Sequence, residues 1–318
     1  MRASWLRNLA RGTLWAMWET ALAFAIWGSY GSVLTAARID PALTAIARSA
    51  GLGILLTIAS VVIARLRGPR EITAAIPWRS GALWLSGSVL IVDEVLYNVS
   101  AVSGPVAIVG LAYGCVPILA PLLSRFAGTD SAQSMRARHW VCLALAFAGN
   151  ALVFSELQTA RIHFSMAAVC AFLAGLLFVL MPVCSARLQQ AGLGTWAVLK
   201  GQGAIAAILA LPLLALLIVV GVIHMGGASE IGHAGLVTRS LGMGAVSAVA
   251  FTLTPLYLWY SGIARCGVAR TSICVFAEPL VATLLSLFIL KDAPPTPLLI
   301  AGAGLVLAGI AVSAWSGE

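Results

Sequence analysis

Ten apolar runs, each close to the length needed to cross a bilayer, follow one another down this chain with only short charged or Pro/Gly-rich breaks. They lie near residues 16–36, 42–64, 80–99, 104–124, 139–155, 164–186, 195–221, 240–262, 268–290 and 296–315. A hydrocarbon layer of roughly 30 Å takes about 20 apolar residues per helix. Backbone groups cannot stay unpaired there, so a continuous apolar run is helical. Composition agrees: 61% of the 318 residues are hydrophobic and 9% are charged, against roughly 25% charged in soluble domains. Alternating ten-residue strands, the mark of an outer-membrane barrel, do not occur. The expected fold is an all-α integral membrane protein with ten transmembrane helices.

The formal charge of +8 is a topology signal. With the N-terminus inside, thirteen basic residues fall on the inner side (Arg2, Arg7, Arg11, Arg65, Arg67, Arg70, Arg79, Arg125, Arg136, Arg138, Arg187, Arg265, Arg270). Four fall outside, namely Arg38, Arg161, Arg239 and Lys291. The positive-inside rule then places both termini in the cytoplasm of a cell whose inner, plasma membrane the chain spans many times. No nucleic-acid partner is needed to explain the charge. Arg2 to Arg11 followed by an apolar run also resembles a signal peptide, but its removal would reverse this charge balance. The segment is read as a retained first helix.

The ten runs divide into two halves. A shift of 162 lays GCVPILAPLL (114–123) over FAEPLVATLL (276–285) and Tyr97 over Trp259. A shift of 152 lays TAIARSAG (44–51) over WAVLKGQG (196–203), matching Arg48 to Lys200 and Gly51 to Gly203. Five crossings per half is odd, so the halves enter the membrane from opposite sides. The expectation is a pair of inverted five-helix repeats, 1–157 and 158–318, around a central cavity. Such repeats supply two near-equivalent states, one open to each side.

Trp27-Gly28 in the first run, Arg48 in the second, AEPLVATLLSLFILKD (277–292) in the ninth and the Gly/Ala-rich tenth run together resemble the drug/metabolite transporter superfamily, in its EamA-type branch. Asp292 stands where that family more often has Glu. The resemblance implies a basket-like bundle in which runs 1–4 and 6–9 line the cavity and runs 5 and 10 lie outside it. It also implies movement, usually outward, of small metabolites, amino acids or drugs.

Charge inside the membrane is costly and marks function by default. Arg48 sits about 7 Å outward of the midplane in the second run, and Asp93 and Glu94 about 4–6 Å outward in the third, at 1.5 Å per residue. Successive helix residues point about 100° apart, so one acid pairs with Arg48 and the other is left for the cavity, for a substrate amine or a coupling proton. A purely structural pair joining the two runs is the competing reading. Glu278 precedes Pro279 near the middle of the ninth run, where the helix is deformable, and the family motif matches there. Lys200, the repeat-mate of Arg48, either lines the cavity or snorkels to the inner interface. Tyr97, one turn beyond Asp93, joins Tyr113 and Trp27 as a candidate aromatic wall suited to an amphipathic solute. Glu19 reads as interfacial.

No Walker loop, dinucleotide fingerprint, HExxH or nucleophile elbow occurs, so ATP-driven pumping is not indicated. The histidines and the six cysteines are scattered, and no metal or other cofactor is called for. The expected function is secondary transport of a small organic molecule by a monomer or homodimer in the lipid bilayer. The rival is an integral membrane enzyme acting on a lipid-linked substrate. That reading calls for polar residues gathered in a sizeable interfacial loop, whereas these loops are short.

Overall fold

Every described apolar run is helical. A computed structural model describes residues 2–67, 76–103, 113–114, 116–129, 137–157, 166–223, 233–285 and 296–315. Arg70, Pro105, Cys115, Arg136, Arg161, His163, His224, Lys291 and Asp292 lie outside the described residues, as do the first part of the fourth run and the end of the ninth. The helices are α1 (Arg2–Ala37), α2 (Pro41–Arg67), α3 (Gly81–Ser103), α4 (Val116–Phe126), α5 (Ala137–Leu157), α6 (Met166–Phe178), α7 (Leu180–Gln190) and α8 (Thr195–Val219). They continue with α9 (His233–Ser247), a π-helical turn (Ala248–Leu253), α10 (Thr254–Ser272), a 3-10 turn (Ile273–Phe276), α11 (Ala277–Leu285) and α12 (Pro297–Trp315).

By length and composition, six helical stretches among the described residues can cross a membrane: Gly12–Ala37, Pro41–Val62, Gly81–Ser103, Met166–Gln190, Thr195–Val219 and Ala234–Ala282. Val116–Phe126, Trp140–Leu152 and Ile300–Ser313 are apolar but shorter. The sixth stretch, 49 residues long, covers two of the expected runs, and its packing on α1 shows why. Going along it, Phe251 lies beside Tyr30, Trp259 beside Phe24, and Cys266 reaches the Thr13 carbonyl. The chain has therefore run antiparallel to α1. At Gly267 the backbone takes φ 79°, a conformation that glycine adopts without penalty. It then climbs back, with Cys274 on the Met17 carbonyl and Glu278 against Gly28. The reversal falls at the break expected between the eighth and ninth runs, beside Arg265 and Arg270.

A smaller break separates α6 from α7 at Val179. Pro182 has no N–H to offer the Phe178 carbonyl, so one rung of the ladder is missing there.

In lipid, helices associate through close packing rather than a hydrophobic drive, so small residues mark the crossings. The α2–α8 crossing is set by Gly53, where a Cβ would strike the Gly203 carbonyl. Gly51, which the repeat alignment matches to Gly203, instead faces Ala248 at 3.3 Å. On α5 and α12, a Cβ on Gly149 would come 2.5 Å from the Gly302 carbonyl, and one on Gly309 2.8 Å from the Cys142 carbonyl. The principal helix pairs are α5 with α12, α2 with α8, α1 with α10, α3 with α6, α2 with α9, α1 with α11, and α3 with α8.

Candidate functional site

All the candidate residues singled out from the sequence except Lys200 converge on one cavity. Trp27 and Tyr30 reach it from α1, Arg48 from α2, and Leu90, Asp93, Glu94 and Tyr97 from α3. Tyr113, just before α4, closes one side with Phe178 and Met181. Thr252 of the π turn, Leu256 of α10 and Glu278 of α11 complete the wall. Leu90, Asp93 and Tyr97 share a face of α3 because they are three and seven residues apart. Of the runs the resemblance expects to line the cavity, α8 contributes no lining residue among those described.

The two adjacent acids have different partners. Glu94 is the partner of Arg48, with Oε1 3.2 Å from Nε. Both side chains are buried, and the pair is embedded in further bonds. Ser49 Oγ donates to Glu94 Oε2 at 2.5 Å, and Thr252 Oγ1 donates to Oε1 at 3.1 Å. Arg48 donates from Nη2 to the Phe251 carbonyl at 2.5 Å, and its Nε also reaches Thr252 Oγ1. The guanidinium carbon stands 4.3 Å from the Tyr30 ring centroid, a cation–π geometry. Burial of a charge is tolerated only with this degree of pairing.

Asp93 points the other way, its Oδ1 accepting from the Tyr113 hydroxyl at 2.6 Å. Glu278 Oε1 lies 3.5 Å from the Tyr97 hydroxyl. Among the described residues neither carboxylate is in an ion pair. The cavity thus holds one guanidinium already matched to Glu94, and two further carboxylates held by phenols. Around them stand ring faces: Tyr97 edge-on to Tyr113 at 5.6 Å, Tyr113 against Phe178 at 5.0 Å, and Tyr30 stacked on Tyr97 at 6.0 Å. Two buried carboxyl groups without a basic partner among the described residues, beside aromatic faces, can take up a proton or a positively charged organic group.

The π turn builds one corner of this site. Widening the helix redirects its carbonyls, and such turns recur at functional sites. Here the Phe251 carbonyl accepts from Arg48 and also from Trp27 Nε1 at 2.6 Å. Trp27 thereby joins α1 to the turn and continues into a ring cluster. It meets Phe24 at 5.1 Å, Phe178 at 5.8 Å and Trp259 at 5.8 Å, and Phe178 stacks on Trp259 at 5.0 Å.

Lys200 is half-buried on α8 and is not among the residues that line this cavity. Glu19 lies near the middle of α1, two turns from the cavity residue Trp27, and is ion-paired with Arg265, both partly exposed. Thr252, Ser49 and Phe178 escaped the sequence reading. Ser49 carries a signal in its adjacency to Arg48, whereas nothing local in AVAFTL marks Thr252 as a partner of α2.

Residues 165–315 match the model of the EamA-like transporter family. No curated protein matches the chain. One solved structure, described only as the crystal structure of a protein, matches with a TM-score of 0.68 at 20% identity over 94% of this chain and 97% of that one. That likeness shows a shared fold. Residues 165–315 are thus similar to an EamA-like transporter unit, and the chain carries several helices long and apolar enough to cross a membrane.

Proposed function

We propose that the protein is a secondary transporter that exports small organic metabolites carrying a protonated amine, such as amino acids or amphipathic drugs. It works by alternating access in the inner membrane, with both termini cytoplasmic. The observation that carries the substrate chemistry is the pair of carboxylates, Asp93 and Glu278, held by tyrosines while Glu94 absorbs the charge of Arg48. An ammonium bound between them exchanges neutral phenol contacts for charge-assisted ones.

Ten crossings in two inverted repeats, 1–157 and 158–318, supply the motion. The packing supports this division. Exchanging the halves sends α1 to α6–α7 and α3 to α9–α10, so the α1–α10 pair maps onto α6–α3. The same exchange maps α2–α9 onto α8–α3 and leaves α2–α8 and α5–α12 unchanged in kind. These pairs match as a twofold axis in the membrane plane would relate them, whereas α1–α11 has only a slight counterpart between α4 and α6–α7 among the described residues.

The test is flux in proteoliposomes across a panel of amines, amino acids and organic anions. Each of Asp93→Asn and Glu278→Gln is expected to weaken uptake of the cationic substrate by about 10–150-fold, the worth of one hydrogen bond to a charged group. Failure of the wild-type protein to move any solute in the panel would refute transport. Wild-type flux from both variants would remove these acids from the mechanism.

A further inference from the structure

Beyond the cavity, toward the end of the bundle that carries Glu19 and Arg265, lies a second group of polar side chains. Ser185 on α7, Gln202 on α8 and Tyr260 on α10 are each fully buried, with 0% exposure. Ser185 Oγ, both amide atoms of Gln202 and the Tyr260 hydroxyl have no hydrogen-bond partner among the described residues. The Tyr260 hydroxyl and the Gln202 amide interact across the α8–α10 contact, yet they miss hydrogen-bond geometry. Native interiors rarely leave one such group unmatched, because each stands without the water it had when exposed. Three together on facing helices call for an explanation that packing does not supply.

Their register supplies one. Ser185 is four residues beyond Met181, and Tyr260 is four beyond Leu256; Met181 and Leu256 both line the cavity. Residues four apart share a helix face, so each polar group continues a cavity-lining stripe by one turn. Gln202 meets the same level from α8, where its carbonyl would lie 3.0 Å from a Cβ on Gly87, one turn from the lining residue Leu90. Between the two levels lies the ring cluster, with Phe178 stacked on Trp259 at 5.0 Å and Trp259 itself fully buried. The Trp259 indole N–H is also without a partner.

We propose that Ser185, Gln202 and Tyr260 line the inner segment of the transport passage, shut here by the Phe178–Trp259 stack, and take on water when that end opens. This rests on the transporter reading and assigns its inner path to α7, α8 and α10. Unmatched groups penalise the shut arrangement and are relieved by hydration in the open one. They therefore bias the molecule toward opening at the end where α1 and α10 are joined by the exposed Glu19–Arg265 pair.

Two measurements on the full chain test this. Gln202→Cys, probed with a small water-soluble thiol reagent and located by mass spectrometry, is expected to react, and to change its rate on adding the transported amine. Tyr260→Phe and Gln202→Leu are expected to leave thermal stability equal or higher while slowing transport by about fivefold, the factor for one net hydrogen bond. A merely structural role predicts the opposite, lower stability with unchanged flux, and that result overturns the assignment. So does a transporting Gln202→Cys protein whose position 202 stays unlabelled with and without the amine. A chain that moves nothing yet labels at 202 refutes transport and retains the hydrated path.

Discussion

Removing the Arg48 charge while keeping its bulk, as in Arg48→Met, isolates what the buried pair contributes. Arg48 and Glu94 are each 4% exposed, so their carboxylate–guanidinium contact at 3.2 Å is little screened by solvent. Without Arg48, Glu94 keeps the Ser49 and Thr252 hydroxyls but no counter-charge. Stranding one member of such a pair costs about 3–5 kcal/mol. At about 2 °C per kcal/mol for a chain of this size, the melting temperature in detergent falls by roughly 6–10 °C. The double variant Arg48→Met/Glu94→Leu removes the stranded charge and is expected to recover most of that loss, because two apolar groups can replace a buried pair at little net change. Asp93→Asn provides the contrast. Tyr113 can still donate to the amide oxygen at that site, so stability holds while transport falls. The reasoning fails if Arg48→Met melts within about 2 °C of wild type, or if the double variant is less stable than the single one.

Three further outcomes rest on packing and exposure. A Cβ at Gly28 would strike the Glu278 carbonyl and lie 3.0 Å from Val281 Cβ; Gly28→Ala should therefore lose about 1–3 kcal/mol and displace Glu278 from Tyr97. Gly12→Ala, with nothing within 4 Å, should match wild type in both melting temperature and flux. Glu19→Gln breaks an ion pair whose side chains are 42% and 32% exposed, so its effect on stability should stay within about 1 kcal/mol; a larger loss in a thermal-shift assay contradicts a screened interfacial pair.

Helix existence was legible because apolar runs in lipid have one outcome, and the residues of the cavity were legible because charge there is rare. Asp93, Glu94, Arg48, Glu278, Tyr97, Tyr113 and Trp27 meet in one cavity. The roughly 100° between adjacent helix positions forced one acid toward Arg48 and the other away, but which one goes where depends on how α2 and α3 are rotated against each other. That rotation is set by Gly53 of α2 against Gly203 of α8 and by Gly87 of α3 against Ile205 of α8, contacts between distant segments that no local pattern encodes. Tyr97 was expected beside Asp93 and does share its face, yet it bonds Glu278 from α11. Lys200 shows the limit of repeat arithmetic. The alignment makes it the mate of Arg48, but no second Glu94 exists at its level, since the corresponding position is Leu256, and Lys200 lies off the cavity.

The π turn at Ala248–Leu253 acts as a phase setting for everything after it. Thr254 closes it by donating to the Val249 carbonyl, five residues back, so one residue more than an α-helix needs is stored in the turn. Deleting a single residue there would rotate the rest of α10 by about 100°. Leu256 would leave the cavity, Tyr260 would swing off the path below it, and Arg265 would turn from Glu19. The corner that holds Arg48 and the contact with Glu19 of α1 are thus tied to one count of residues. An insertion or deletion in this short segment would uncouple them together, even though no charged group within the turn itself is altered.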